Sequence, residues 1–299
     1  MTEEGHPLTR GEHDGLQWTP SYAGRMSRRG FLMTSPADFD RPSIARVFDA
    51  LVGGHEHREA DREVLRQILE LAPEALVMAR ELRHWLKRAV RFLADQVGIE
   101  QFIDLGSGFP TSENTHTIAH RYSPHAQVVY VDNDPVVQER GRQLLGENDF
   151  THIAGNDLTR PQETLDDPGV TAHIDLRRPV GLILCAIIHH IEDLAQAQEI
   201  VRTYVDALAP GSYLVLAHQF NPGDGSESSD VAQSLQDRFT GTGLDTLYRT
   251  RAEIASFFAG LELVEPGLVY PHEWWPDGPR FMPLSPCNFT TLAGVGRKP

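Results

Sequence analysis

The chain has 299 residues and only two cysteines, Cys185 and Cys287. Two thiols cannot build a disulfide framework, and their scarcity suits a reducing compartment. No stretch approaches the roughly 18 uninterrupted apolar residues that cross a membrane. The first residues lack the charged-then-apolar order of an export signal, so the expected location is the cytoplasm. Positive charge is also short. Against 42 Asp and Glu stand 27 Lys and Arg, a formal net charge of -15. Such a surface repels phosphate backbones, so neither nucleic acid nor an anionic membrane is an expected partner. No repeat of fixed period runs through the chain, which argues against solenoids and propellers.

What is present is an ordinary globular composition, long enough for one large α/β domain with additions. Residues 1–38 are rich in Gly, Ser, Thr, Pro and mixed charge and read as a flexible arm. Met33 opens "MTSPADFDRPS" much as a natural start would, so residues 1–32 read as an extension or a misplaced start. Residues 39–98 read as a helical cap. Ser43 is an expected N-cap; Ile44, Val47, Phe48 and Leu51 share a helical face; Gly53 and Gly54 end it. Two further helical patterns follow, separated by Pro73.

The rhythm changes after residue 98. Over residues 99–299 apolar bursts such as "QFIDLG", "QVVYVDND", "VGLILCAIIHH" and "SYLVLAHQ" alternate with amphipathic segments. Short buried strands alternating with helices imply a parallel sheet covered on both faces.

Chemistry gathers where these strands end, the edge at which open α/β sheets bind ligands. In "FIDLGSGFP", Gly106 and Gly108 permit unusual dihedrals and a close backbone approach, with Ser107 between them. A helix expected to begin near Thr111 or Ser112 would offer free N–H groups and a positive dipole end. Asp104 could accept a hydrogen bond or pair with a cationic ligand group. In "VVYVDND", Asp132 lies about one βαβ unit further on, suited to ribose hydroxyls, with Asn133 beside it. Asp134 reads as the cap of the next helix, with Pro135 in its first turn. In "GNDL", Asp157 beside Leu158 could accept a hydrogen bond from an exocyclic amine, or could simply cap a loop. "LILCAIIHH" reads as a strand ending at His189–His190. One of the pair is expected to face the site as a general base or as a wall.

Together these four elements resemble class I S-adenosylmethionine-dependent methyltransferases. With "RPSIARVFDALVGGHEHREADRE" and "LAPGSYLVLAH", the chain from about residue 38 onward is similar to an actinobacterial S-adenosyl methyltransferase group, formerly a domain of unknown function. The resemblance implies a Rossmann-like seven-stranded sheet in the order 3-2-1-4-5-7-6 with the last strand antiparallel. The segments near 261–269 and 288–296 would be the last two strands. It implies that Asp104, Gly106 and Gly108 line the methionine part of S-adenosylmethionine, Asp132 the ribose, and Asp157 with Leu158 the adenine. His189 would stand near the sulfonium as the candidate catalytic residue. Arg46, Phe48, Gly53 and Gly54 of the cap are candidates to touch cofactor or substrate. Phe48 and Glu56–His57 depart from the group's pattern, which bears on substrate choice.

Two other readings use the same residues. A nicotinamide oxidoreductase shares the glycine turn and the ribose acid, but Thr111 stands where its third glycine belongs. A protein binding S-adenosylmethionine or its demethylated product without chemistry would carry the same pocket. A metal is not expected: His55, His57, His189 and His190 lack convincing ligand spacing. The expected activity is methyl transfer to a small-molecule acceptor, and homodimer formation is left open.

Overall fold

The computed structural model describes residues 41–110, 113–145, 148–280 and 283–299. The expected arm and Met33 lie outside them. Aliphatic runs such as "QVVYV" and "GLILC" are too short for a buried helix and are rich in β-branched or bulky side chains, so they extend. They form β1 (Gln101–Leu105), β2 (Gln127–Val131), β3 (Thr151–Ala154), β4 (Gly181–Cys185) and β5 (Tyr213–Gln219). β6 (Glu262–Leu263) and β7 (Thr291–Arg297) complete the sheet. The order is β3-β2-β1-β4-β5-β7-β6. β1 to β5 run parallel, and β7 is antiparallel to both of its neighbours. This is the expected topology. β6 is shorter than the sequence suggested, because only two of its residues pair with β7.

Strand alternation splits the core in two. Ile103, Leu105, Val129, Val131, Leu182 and Leu184 face one layer, packed with Ile200, Val201 and Tyr204 of the helix Leu194–Ala207. Phe102, Val128, Tyr130 and Ile183 face the other, against Leu82, Trp85, Leu86 and Ala89. Asp104 belongs by alternation to this second face, opposite Tyr130 on β2 and Ile183 on β4.

Three helices precede the sheet: α1 (Ile44–Val52), α2 (Glu59–Leu71) and α3 (Ala75–Arg91). α3 continues through a π-helical turn, Phe92–Val97, ended by Gly98 at φ 79°. α1 begins as the sequence indicates, with Ser43 Oγ accepting from the Arg46 N–H, and ends at Gly53 in the left-handed region. Asp61 ties α1 to α2. Its carboxylate accepts from Ser43 N (3.0 Å), Arg58 N (2.7 Å) and Arg46 Nε (2.8 Å).

In the tryptophan stretch 270–279 Pro271 and Trp274 are buried, while Trp275 and the residues after it are exposed. Trp274 is fully buried against Phe92, and Arg88 donates to the Trp274 and Pro271 carbonyls at 2.9 and 2.6 Å.

Candidate active site

After Leu105 the chain turns on Gly106 (φ 64°) and Gly108 (φ 62°), a region that penalises any side chain. Gly106 N and Ser107 N both donate to the Val131 carbonyl, at 2.8 and 3.3 Å, which hooks the turn onto the end of β2. The two glycines differ in what surrounds them. A Cβ at Gly106 would lie 2.4 Å from Ile187 Cγ1, so Ile187 covers that part of the turn; Gly108 has open space where its Cβ would be.

The carboxylate closing β2 faces this turn. Asp132 Oδ2 accepts from Gly108 N at 2.9 Å and Oδ1 from Asp134 N at 2.9 Å. Burial pushes the Asp132 carboxyl up to about 6, against the lowering effect of those two N–H groups. Asp134 takes the capping role expected of it, accepting from Val136 N at 2.8 Å. It also accepts from Ser43 Oγ at 3.0 Å, which joins the start of α1 to the end of β2. Asn133, between the two acids, is exposed.

Asp104 is buried and accepts from Thr115 Oγ1 at 2.7 Å. Burial raises it to about 6 as well. A narrow cleft opens beside it, whose lining includes Arg83 of α3, Asp104, Ser107, Gly108, Thr115 and Tyr130. Asp132 is joined to the lining of this cleft through the Gly108 amide.

Three readings change at the next elements. The helix after the turn is α4 (Thr115–Ala119), five residues long, and the His116 N–H goes to Tyr130 Oη at 2.9 Å. A helix this short is a weak dipole, so it does not supply the anion-binding end expected of it. Thr111 and Ser112 lie outside the described residues.

At the fourth strand, β4 stops at Cys185. Ala186 adopts φ 57°, and His189 and His190 sit in a short 3₁₀ turn, Ile188–His190. The histidines therefore do not alternate across a strand. His189 is 3% exposed, with its ring 4.2 Å from that of His190 and 5.7 Å from that of His218. Burial, then the neighbouring His190, His218 and Arg249, hold it well below its ordinary value, so it is neutral at pH 7.

Arg46 is buried at 1% exposure and held by Asp61. Its other guanidinium contact is the Arg41 carbonyl. Gly54 is crowded, since a Cβ there would meet Asp49 Oδ1 at 1.8 Å. Among the described residues, the side-chain hydrogen bonds of Arg46 go to Asp61 and Arg41 and not to the glycine turn. Phe48 is half-buried.

At the third strand, Asp157 Oδ1 accepts from Thr159 N (2.9 Å) and Thr159 Oγ1 (2.8 Å), a local loop cap. Asn156 gives a more telling signal. Its Nδ2 donates to Asp167 Oδ2 at 3.1 Å, which fixes which end is oxygen. Leu158 packs on the core, and its carbonyl accepts from Tyr204 Oη at 3.1 Å.

The sequence profile described as S-adenosyl methyltransferase matches residues 33–299. The chain belongs to this family. No curated protein matches it. Two solved structures are similar over nearly their whole length. One, from Thermobifida fusca YX and provisionally assigned as a methyltransferase, is 41% identical, with a TM-score of 0.81, over 88% of this chain and 97% of its own. The other is a DUF574 family protein from Streptomyces avermitilis MA-4680. It is 36% identical, with a TM-score of 0.81, over 88% of this chain and 99% of its own. Membership makes the chain an S-adenosylmethionine-dependent methyltransferase and sets the oxidoreductase reading aside.

The residues present fit that cofactor. Of the buried polar atoms without a hydrogen-bond partner among the described residues, which also include Trp85 Nε1, Thr151 Oγ1, His272 Nδ1, Trp274 Nε1 and Asn288 Nδ2, three follow the carboxyl end of a strand: Ser107 Oγ, Asn156 Oδ1 and His189 Nδ1. Buried polar atoms are normally satisfied, so a row of orphans along this edge suits a polar ligand. Arg83, Asn156 and Ile187 were not singled out as site residues in the sequence. Arg83 sits inside an Arg-rich helix, and Asn156 reads as a neighbour of the more conspicuous Asp157.

Proposed function

We propose that this chain transfers the methyl group of S-adenosylmethionine to a small-molecule acceptor, chiefly by aligning the two and excluding water. The observation that carries this reading is the pairing of the Gly108 amide with the Asp132 carboxylate at the edge between β1 and β2. When bound, the cofactor supplies an electrophilic methyl on a sulfonium sulfur. Asp104, Ser107 and Gly108 would hold its methionine part, and Asp132 with Asn133 its ribose. The Asn156–Leu158 segment would hold its adenine, with Asn156 Oδ1 as the acceptor for the exocyclic amine. Ile187 covers Gly106 and would narrow the space beside the reacting carbon.

Alignment alone can supply a large share of the rate, since holding reactants in line is worth up to about 7–11 kcal/mol. The cap contributes by closing over the edge through the Ser43–Asp134 bond, with Arg46, Gly54 and Phe48 shaping it. His189 is buried and neutral with an unpartnered Nδ1, and burial holds it well below its ordinary value, which makes it a weak base and favours transfer by alignment. We assign the protein to the cytoplasm and to an actinobacterial source; the two similar structures come from actinobacteria.

The test is release of S-adenosylhomocysteine across a panel of phenols, amines and carboxylic acids. Turnover with a small acceptor is expected, and binding of the cofactor with no turnover on any acceptor would favour a non-catalytic binder. In the active assay, His189→Gln should lower turnover less than about tenfold. A loss of about 10²–10⁴ would instead make His189 the general base.

A further inference from the structure

A sulfonium sulfur carries three substituents. With the cofactor held as proposed, two of them are already directed: the amino-acid end toward the turn after β1, and the ribose toward Asp132 at the end of β2. β4 is the other neighbour of β1 in the sheet, so the third substituent, the alkyl group, is left the β4 side. The side chain standing there over the turn is Ile187. β4 stops at Cys185, and Ala186 bends the chain at φ 57°, a left-handed conformation uncommon for a residue with a side chain. Such a conformation persists only where its surroundings hold it, and such positions gather at working sites. Here Ala186 N donates to the Ala217 carbonyl at 3.2 Å, and the Ile187 carbonyl accepts from His190 N at 3.1 Å. The bend brings Ile187 back over the β1 turn. A Cβ at Gly106 would lie 2.4 Å from Cγ1, 2.9 Å from Cδ1 and 3.0 Å from Cβ of Ile187. One side chain thus covers that face of Gly106, whereas a Cβ at Gly108, two residues on, would meet nothing. Isoleucine is branched at Cβ and stiff at χ1, and Ile187 also packs on the core, so this wall is rigid.

Resting on the cofactor reading above, we infer that Ile187 is a specificity residue that sets the size of the alkyl group the bound sulfonium can carry: a methyl fits against it, and an ethyl meets the wall. Among alkyl sulfonium donors the site is thereby restricted to methyl. The filter is apolar, as suits an alkyl group, and it acts by shape alone, with no part in moving a proton. One methylene too many in a close-fitting apolar pocket is discriminated by roughly 10- to 200-fold. A packed wall gives way only at a cost in strained side chains and shifted backbone, which is why so small a group is felt.

The experiment is calorimetric titration of the full chain with three ligands: S-adenosylhomocysteine, which has no alkyl group on its sulfur, S-adenosylmethionine and S-adenosylethionine. The unaltered chain should bind S-adenosylethionine at least about tenfold more weakly than S-adenosylmethionine. Ile187→Ala should close that gap to less than about threefold and leave S-adenosylhomocysteine within about threefold of its original affinity. Ile187→Val removes one methylene and keeps the branch at Cβ. Its gap should fall between the two, and it carries the test where Ile187→Ala does not fold. Equal affinity of the unaltered chain for the two sulfonium ligands would overturn the filter. So would an equal loss for all three ligands in a folded variant. If S-adenosylhomocysteine binds every protein alike while the gap stays fixed, the filter fails and the cofactor site stands. If the unaltered chain binds none of the three, both fall together.

Discussion

Gly106 and Gly108 look equivalent in the sequence, and the structure separates them. Gly106→Ala combines a left-handed φ with a Cβ 2.4 Å from Ile187, so it should cost stability as well as binding. Gly108→Ala meets no neighbour and pays only for its φ of 62°, about 1–2 kcal/mol. Its effect should fall mainly on the cofactor, through the amide that meets Asp132. Thermal melts and titrations of the two variants check this; a larger stability loss at Gly108 would contradict it. The acids add a pH dependence. Burial raises Asp104 and Asp132 to about 6, and their ligand roles require the ionised form. Affinity for S-adenosylmethionine should be flat above about pH 7 and fall as pH drops through 6. A profile unchanged down to pH 5 would remove both carboxylates from the site. These two acids were legible because an apolar strand ending in Asp is a local pattern. Arg46 was not, since its partner Asp61 lies on another helix and only packing brings them together.

At the scale of elements, two buried polar knots hold the site's supports. Asp61 satisfies two backbone amides and one guanidinium between α1 and α2. Asp61→Ala should destabilise the chain by about 3–5 kcal/mol, since it leaves the buried Arg46 uncompensated. The second knot lies beyond β4 and β5. Arg249 donates to His218 Nε2 at 2.7 Å, so the His218 proton sits on Nδ1 and goes to the Gln219 carbonyl at 2.6 Å. Burial lowers His218 to about 3. His218→Phe should cost about 1–3 kcal/mol in chemical denaturation, by stranding a buried donor of Arg249. A neutral outcome would show that Arg249 finds another acceptor. The strands were readable from aliphatic runs. The 3₁₀ turn carrying His189 was not, because the bend at Ala186 uses a φ that the sequence gives no reason to expect.

For the whole molecule, the order β3-β2-β1-β4-β5-β7-β6 puts the carboxyl ends of β1 to β4 along one edge. Segments far apart in sequence thereby share one ligand. Alternation of short strands and helices made the parallel sheet legible. The place of Arg83 in the lining of the cleft was not, because pattern alone does not say which of the arginines of α3 comes to it. A ligand that binds only the folded chain stabilises it, by about 2.7 kcal/mol at a hundredfold excess over Kd. S-adenosylmethionine should therefore raise the melting temperature by several degrees, and NADH should not. The most direct measurement is calorimetric titration of S-adenosylmethionine into the unaltered chain and into Asp132→Ala. Saturable one-to-one binding is expected, weakened at least about tenfold in the variant by the loss of a charge-assisted hydrogen bond. Equal affinity in the two proteins, or no binding by the unaltered chain, would contradict it.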